Sequence, residues 1–179
     1  MTYAEITPPL AEPVTLAEVR AHLRLEGGEE DGLVAALAVV ARQHLERVTG
    51  LVLMRRTLRL YRDDWPVSGV IQIARGPVQA IESVRVYDAD GVAQSLSLDG
   101  HRLDGDARPA RLLLKQCVSS GQAINGIEID FTAGFGDSGA EVPDGLKRAL
   151  LLHVAHMFAF RGVVAPAEQP AACRSVMRR

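Results

Sequence analysis

The sequence predicts an α+β fold. An N-terminal antiparallel helix pair and a C-terminal helix form a small bundle, with an antiparallel β-sheet or sandwich inserted between helices two and three. Three observations predict it. Apolar residues recur with a helical period over residues 13–50. The period falls to about two over residues 51–135. The helical period returns over residues 143–162.

The elements follow in order. Pro8, Pro9 and Pro13 make the first dozen residues an extended lead-in. Thr15 with Glu18 three residues on is a capping box, and Leu16, Val19 and Leu23 place one apolar face behind it. Gly27 and Gly28 are the expected stop. The second helix is predicted from about Asp31 to Thr49, ending at Gly50. Its expected buried stripe is Leu33, Leu37, Val40, Ala41, His44, Leu45 and Val48, with Glu46 and Arg47 on the polar side. The short acidic turn between the helices suits an antiparallel pair.

Strand patterns then run through Thr57–Arg62, Val70–Ile73, Ile81–Tyr87, Gln94–Leu98, Leu112–Leu114 and Gly126–Phe131. Asp88-Ala89-Asp90-Gly91 is a tight turn, because glycine accepts a positive φ. Pro143 fits the start of a third helix, whose stripe is Leu146, Leu150, Val154, Met157 and Phe158. Residues 163–179 read as a mobile tail. The whole chain is expected to be one domain.

Composition excludes several functions. The chain has 179 residues, 47% of them apolar and 23% charged, which excludes disorder along its length. No run approaches the roughly 20 apolar residues of a spanning helix, so no membrane association is expected. Met1 to Glu5 has neither a basic nor an apolar signal region, so no signal peptide is expected. With 20 basic and 22 acidic side chains, the net charge of −2 argues against a dedicated nucleic-acid binder. Cys117 and Cys173 make no disulfide framework.

Tempting motifs carry bland readings. Gly134-Phe135-Gly136-Asp137-Ser138-Gly139 matches G-x-G-x-x-G, but no helix opens inside it and no second βα unit follows. A glycine loop is expected, with no cofactor. His153 and His156 sit at i, i+3, a spacing that suits a metal only with further ligands, and no Glu lies between them. One is expected to pack at the stripe edge while the other faces solvent or a partner. A metal protein or small-molecule enzyme using this pair is the alternative of another class. Asp63/Asp64, Asp88/Asp90 and Asp104/Asp106 read as solvated turn acids. No nucleophile elbow is present and neither Cys lies in a nucleophile signature, so catalysis is not expected. Arg174, Arg178 and Arg179, with Val176 and Met177 as small anchors, read first as a docking peptide, with plain disorder or a phosphate patch as the alternatives. Three charges alone would bind phosphate weakly.

Five segments taken in order carry a resemblance. They are Pro13–Glu18 with Leu23-Arg24-Leu25, Ala41–Gly50, Gly76-Pro77-Val78 with Ile81–Val84 and Tyr87–Gly91, Phe131–Gly136 with Val142-Pro143 and Leu146–Leu150, and His153–Gly162. The order resembles the head–tail connector (adaptor) family of tailed phages and phage-like gene transfer agents, across about residues 13–162. The end of helix three departs from it: Met157-Phe158-Ala159-Phe160 stands where the family often has Tyr or Trp with an acid.

The resemblance implies structural work and no catalysis. It implies a ring, typically of twelve copies, at the head–tail junction between the portal protein and the stopper or tail proteins. DNA would pass through the lumen without sequence-specific binding. It also implies portal docking through the C-terminal segment, which falls on Arg174, Val176, Met177, Arg178 and Arg179 by position. A tail-completion or stopper protein is the nearest alternative.

Overall fold

The computed structural model describes residues 2–160. Three helices and two antiparallel sheets make an α+β fold, with the strands set between the second and third helices. The described residues form two compact units: 2–9 with Arg55–Phe135, and Leu10–Met54 with 136–160.

The first unit is all strand. Its larger sheet contains β1 (Thr2–Glu5), β2 (Arg56–Arg62), β4 (Val78–Tyr87), β5 (Ala93–Ser95) and β8 (Ile127–Ala133), in the order β1-β2-β8-β4-β5. Its smaller sheet contains β3 (Val70–Ile73), β6 (Arg102–Asp104) and β7 (Ala110–Leu113), in the order β3-β7-β6. All pairings are antiparallel. Alternation decides which face is buried. Leu58 and Leu60 of β2, Val84 and Val86 of β4, and Ile127, Ile129 and Phe131 of β8 are buried on one side. Ile71, Ile73, Ala110 and Leu112 give the smaller sheet its own buried face. Full burial of each large apolar side chain contributes about 1.5–3 kcal/mol.

Two strands escape the sequence reading. The lead-in is not merely extended, because Thr2–Glu5 pairs with β2 as an edge strand. Tyr3 anchors it: its hydroxyl accepts from the Ala74 N–H at 2.8 Å, and its ring meets Phe131 edge-on at 6.3 Å. β6 is three residues long, too short to show a period. The Asp88 turn is as expected, with Asp88 Oδ1 accepting from the N–H groups of Asp90 and Val92.

The second unit is helical. The Thr15–Glu18 capping box opens α1 (Leu16–Leu23), with the Thr15 hydroxyl accepting from the Glu18 N–H at 3.1 Å. The helix ends sooner than the glycines suggest. Arg24 takes the left-handed conformation, and the Arg20 guanidinium reaches over to the Gly27 carbonyl and Asp31. α2 (Asp31–Thr49) has the expected bounds, and Gly50 caps it at φ 74°. α3 (Asp144–Ala159) begins directly after Pro143. The three helices pack on one another.

The buried face of α2 differs from the expected stripe. Val34, Ala38, Ala41 and Leu45 are buried together with Arg42 and Glu46, whereas Leu33, Val40 and Val48 are exposed. The reason is a buried ion pair. Arg42 makes a two-pronged contact with Glu12 at 2.7 and 3.1 Å and reaches Glu46 at 3.1 Å. Glu46 in turn accepts from the Leu53 N–H at 2.8 Å. These contacts tie the lead-in and the chain leaving α2 to one helical face, which turns the other apolar residues outward.

Arg42→Ala strips the buried Glu46 carboxylate of its guanidinium and is expected to destabilise the fold by about 3–5 kcal/mol. A lower urea midpoint by circular dichroism is the readout. The double variant Arg42→Met/Glu46→Gln is expected to regain much of the loss, because glutamine still accepts from Leu53 and carries no charge.

Candidate functional site

Chemistry-bearing side chains concentrate in two places, one in each unit. The first lies on the outer face of the larger sheet. β8 is its central strand and alternates Ile127, Glu128, Ile129, Asp130, Phe131. The apolar residues face inward, so both acids face outward. Asp130 stands opposite Arg59 of β2 and Ser83 of β4, and Glu128 stands opposite Tyr61 and Arg85. Arg59 grips Asp130 with two prongs at 2.6 and 2.9 Å. Arg85 reaches the same carboxylate at 2.9 Å, and the Ser83 hydroxyl donates to it at 3.2 Å. Glu128 lies 3.0 Å from Arg59 and 3.5 Å from Arg85.

Both acids are only 8% exposed. Burial alone would raise the Asp130 carboxyl. The hydrogen bond and charge of Arg59, with Ser83 and Arg85 behind it, outweigh burial and hold it below the ordinary carboxylate value. Two acids and two guanidinium groups balance one another. A carboxylate held ionised in this way is a poor proton donor, so the cluster's work is to lock β2, β8 and β4 in register.

The second place is the contact between α2 and α3. His44 and His153 stack with ring centroids 5.0 Å apart. His153 is buried, and its Nδ1 has no hydrogen-bond partner among the described residues. Burial, then the charges of His44 and His156, push its pKa down. His156 lies one turn on, with its ring 4.8 Å from that of Phe160. The two histidines therefore meet different neighbours. Among the described residues, no group of three or more His, Cys, Asp or Glu could hold a metal ion.

The glycine loop is packed against its own chain. Ser138 and Glu141 cap a single 3₁₀ turn, Gly139–Glu141, and the Glu141 carboxylate accepts from the Ser138 N–H at 3.0 Å. A Cβ at Gly136 would strike the Glu141 carboxylate, and one at Gly139 would lie 2.5 Å from the Pro13 carbonyl. Gly139 is thus needed for close approach to the Pro13 backbone, whereas a side chain at Gly136 would displace the Glu141 carboxylate.

The turn acids are partly occupied. Asp63 accepts from the Asn125 N–H at 2.8 Å, and Asp104, which lies in β6, pairs with Arg111. The first unit has a cleft of about 590 Å³ lined by Gln79, Leu103, Asp106, Arg108 and Phe135. The second has an apolar groove of about 340 Å³ lined by Leu16, Val19, Ala35 and Val39. Arg174, Val176, Met177, Arg178 and Arg179 lie outside the described residues.

Sequence reasoning missed the four-residue charge cluster. Its signal was present, because Arg59, Arg85, Glu128 and Asp130 all occupy outward positions of alternating strands. The pairing of β8 with both β2 and β4 supplied what the sequence lacked.

No family model matches the chain, and no curated protein matches it. Solved structures do. The chain is 28% identical to a chain in the neck of an empty gene transfer agent particle computed with C6 symmetry, with a TM-score of 0.84 over 99% of this chain and 93% of that one. A chain in the virion of the native gene transfer agent particle matches at 28% identity and a TM-score of 0.83, with the same coverage. A chain in the neck of the native particle computed with C12 symmetry matches at 28% identity and a TM-score of 0.80, again over 99% and 93%. These matches bear out the resemblance to the head–tail connector family.

The His153 environment sets a pH dependence. The folded pKa lies below the ordinary 6.5, so between the two values the unfolded chain binds the extra proton. The contribution is full above about 6.5 and is lost as pH falls from there through the folded value. Urea midpoints of the native chain are expected to fall between pH 7 and pH 5 more steeply than those of His153→Leu. Parallel profiles would contradict this.

Proposed function

We propose that this chain is a structural head–tail adaptor of a phage or phage-like particle. Copies form a ring between the portal and the stopper or tail, and the ring continues the DNA channel. The observation that carries this reading is the near full-length likeness to chains of a gene transfer agent neck at 28% identity. That likeness supports a structural component of such a particle, acting at its neck and not as a catalyst. Twelve copies fit the twelvefold symmetry with which one compared neck was computed.

The physical chemistry agrees with the reading. DNA must slide through such a channel without sticking, and a net charge of −2 gives little phosphate attraction. Asp130 and Glu128 are held by Arg59 and Arg85, so these guanidinium groups are engaged within the sheet. Rigid register in the sheet suits a part that must present the same surface in every copy.

Docking to the portal falls to residues 163–179, with Arg174, Arg178 and Arg179 as charged contacts and Val176 and Met177 as anchors.

Deleting residues 163–179 is expected to leave a folded chain that no longer attaches to portal-bearing heads. Attachment at normal occupancy would remove the docking role. Crosslinking the full chain in particles is expected to join it to the portal. Adducts with tail proteins alone would make it a tail-completion protein instead.

A further inference from the structure

The outward face of α2 has a composition that the isolated chain does not account for. A surface helix ordinarily turns charge toward water. From Gly32 to Glu46 the only Asp, Glu, Lys or Arg side chains of α2 are Arg42 and Glu46, and both are buried against their own unit. What faces outward over these roughly four turns is Leu33, Ala36, Val40 and Gln43, at i, i+3, i+7 and i+10. Leu33 is 40% exposed and Val40 48%, and Val48 extends the stripe at 48%. Asp31 and Arg47 stand at its two ends.

The stripe from Leu33 to Val48 is about 22 Å long at 1.5 Å per residue. A neutral apolar centre bounded by charge is the composition of an interface core with its rim. A helix apolar on both faces is one that is covered on both. The exposed Ala35 and Ala36 leave room for a neighbouring backbone to approach closely. With no exposed cation between Gly32 and Glu46, the centre of the face offers DNA phosphates no charge.

We propose that this outward face of α2, centred on Leu33 and Val40, is one of the two surfaces through which each copy contacts the next copy of the same chain. The proposal rests on the ring reading above. A closed ring of identical subunits is heterologous, so every copy must present two different complementary faces. Two of the compared chains belong to necks computed with sixfold and twelvefold symmetry. That cyclic symmetry is the argument for a second copy as the occupant. A portal or tail protein on the same face is the alternative that the test resolves.

The test uses the full chain in purified particles, with a photo-crosslinking amino acid in place of Val40. The expected product is two copies joined, at twice the 19.3 kDa of the chain. An adduct with a different particle protein would overturn the choice of partner. No adduct, in particles whose necks still show this chain as a cyclic ring by electron microscopy, would overturn the face and leave the ring reading intact. A neck in which the chain forms no ring would overturn both.

A second variant guards against misfolding. Val40→Glu places charge at an exposed position and is expected to keep the circular dichroism of the parent while cutting incorporation into particles about tenfold or more. Val67→Glu, at a fully exposed loop position, is expected to incorporate normally. Normal incorporation of Val40→Glu would contradict the proposal.

Discussion

The grip of Arg59 and Arg85 on Asp130 is the constraint around which the sheet unit is arranged. β8 is buried on both faces, by apolar packing on one and by this cluster on the other. A slip of one residue would turn Ile129 and Phe131 outward and drive Glu128 and Asp130 into the apolar layer. Burying an unpaired carboxylate costs far more than any single apolar contact returns. The outer charges therefore define the register, and the inner side chains supply the bulk of the stabilisation. Arg42 plays the matching part in the helical unit, where Glu12 and Glu46 orient α2 and decide which of its apolar residues are left facing out.

Both clusters follow one logic. A chain with few aromatic residues, 4% of its length, lacks the large rings that often enforce unique packing. Two-pronged Arg–carboxylate pairs supply directional contacts in their place. Glu12, Arg42, Arg59, Arg85, Glu128 and Asp130 are then part of the architecture. This fits a structural component of a particle neck.

Much of this was legible in the sequence. The capping box at Thr15, the bounds of α2, the turn at Asp88 and the β-rich insertion all rest on local signals, and the structure has them. What was not legible depends on distant partners. The inward rotation of Arg42 needs Glu12, thirty residues away, and nothing in the helical period marks it. Reading apolar side chains as the buried stripe therefore selected Leu33, Val40 and Val48, which lie outside. Thr2–Glu5 looked like a lead-in because an edge strand borrows its order from β2. The helical period leaves open which of His153 and His156 packs at the stripe edge, and the stacking of His153 on His44 depends on the packing of two helices distant in sequence. The resemblance to connector proteins came from the order of many weak segments, and the likeness to gene transfer agent neck chains bears it out.

The central claim is that the chain joins head to tail as a structural part. Electron microscopy of particles from producer cells lacking its gene tests this most directly. The account predicts DNA-filled heads beside free, unattached tails. Normal, fully joined particles in the absence of the chain would contradict it.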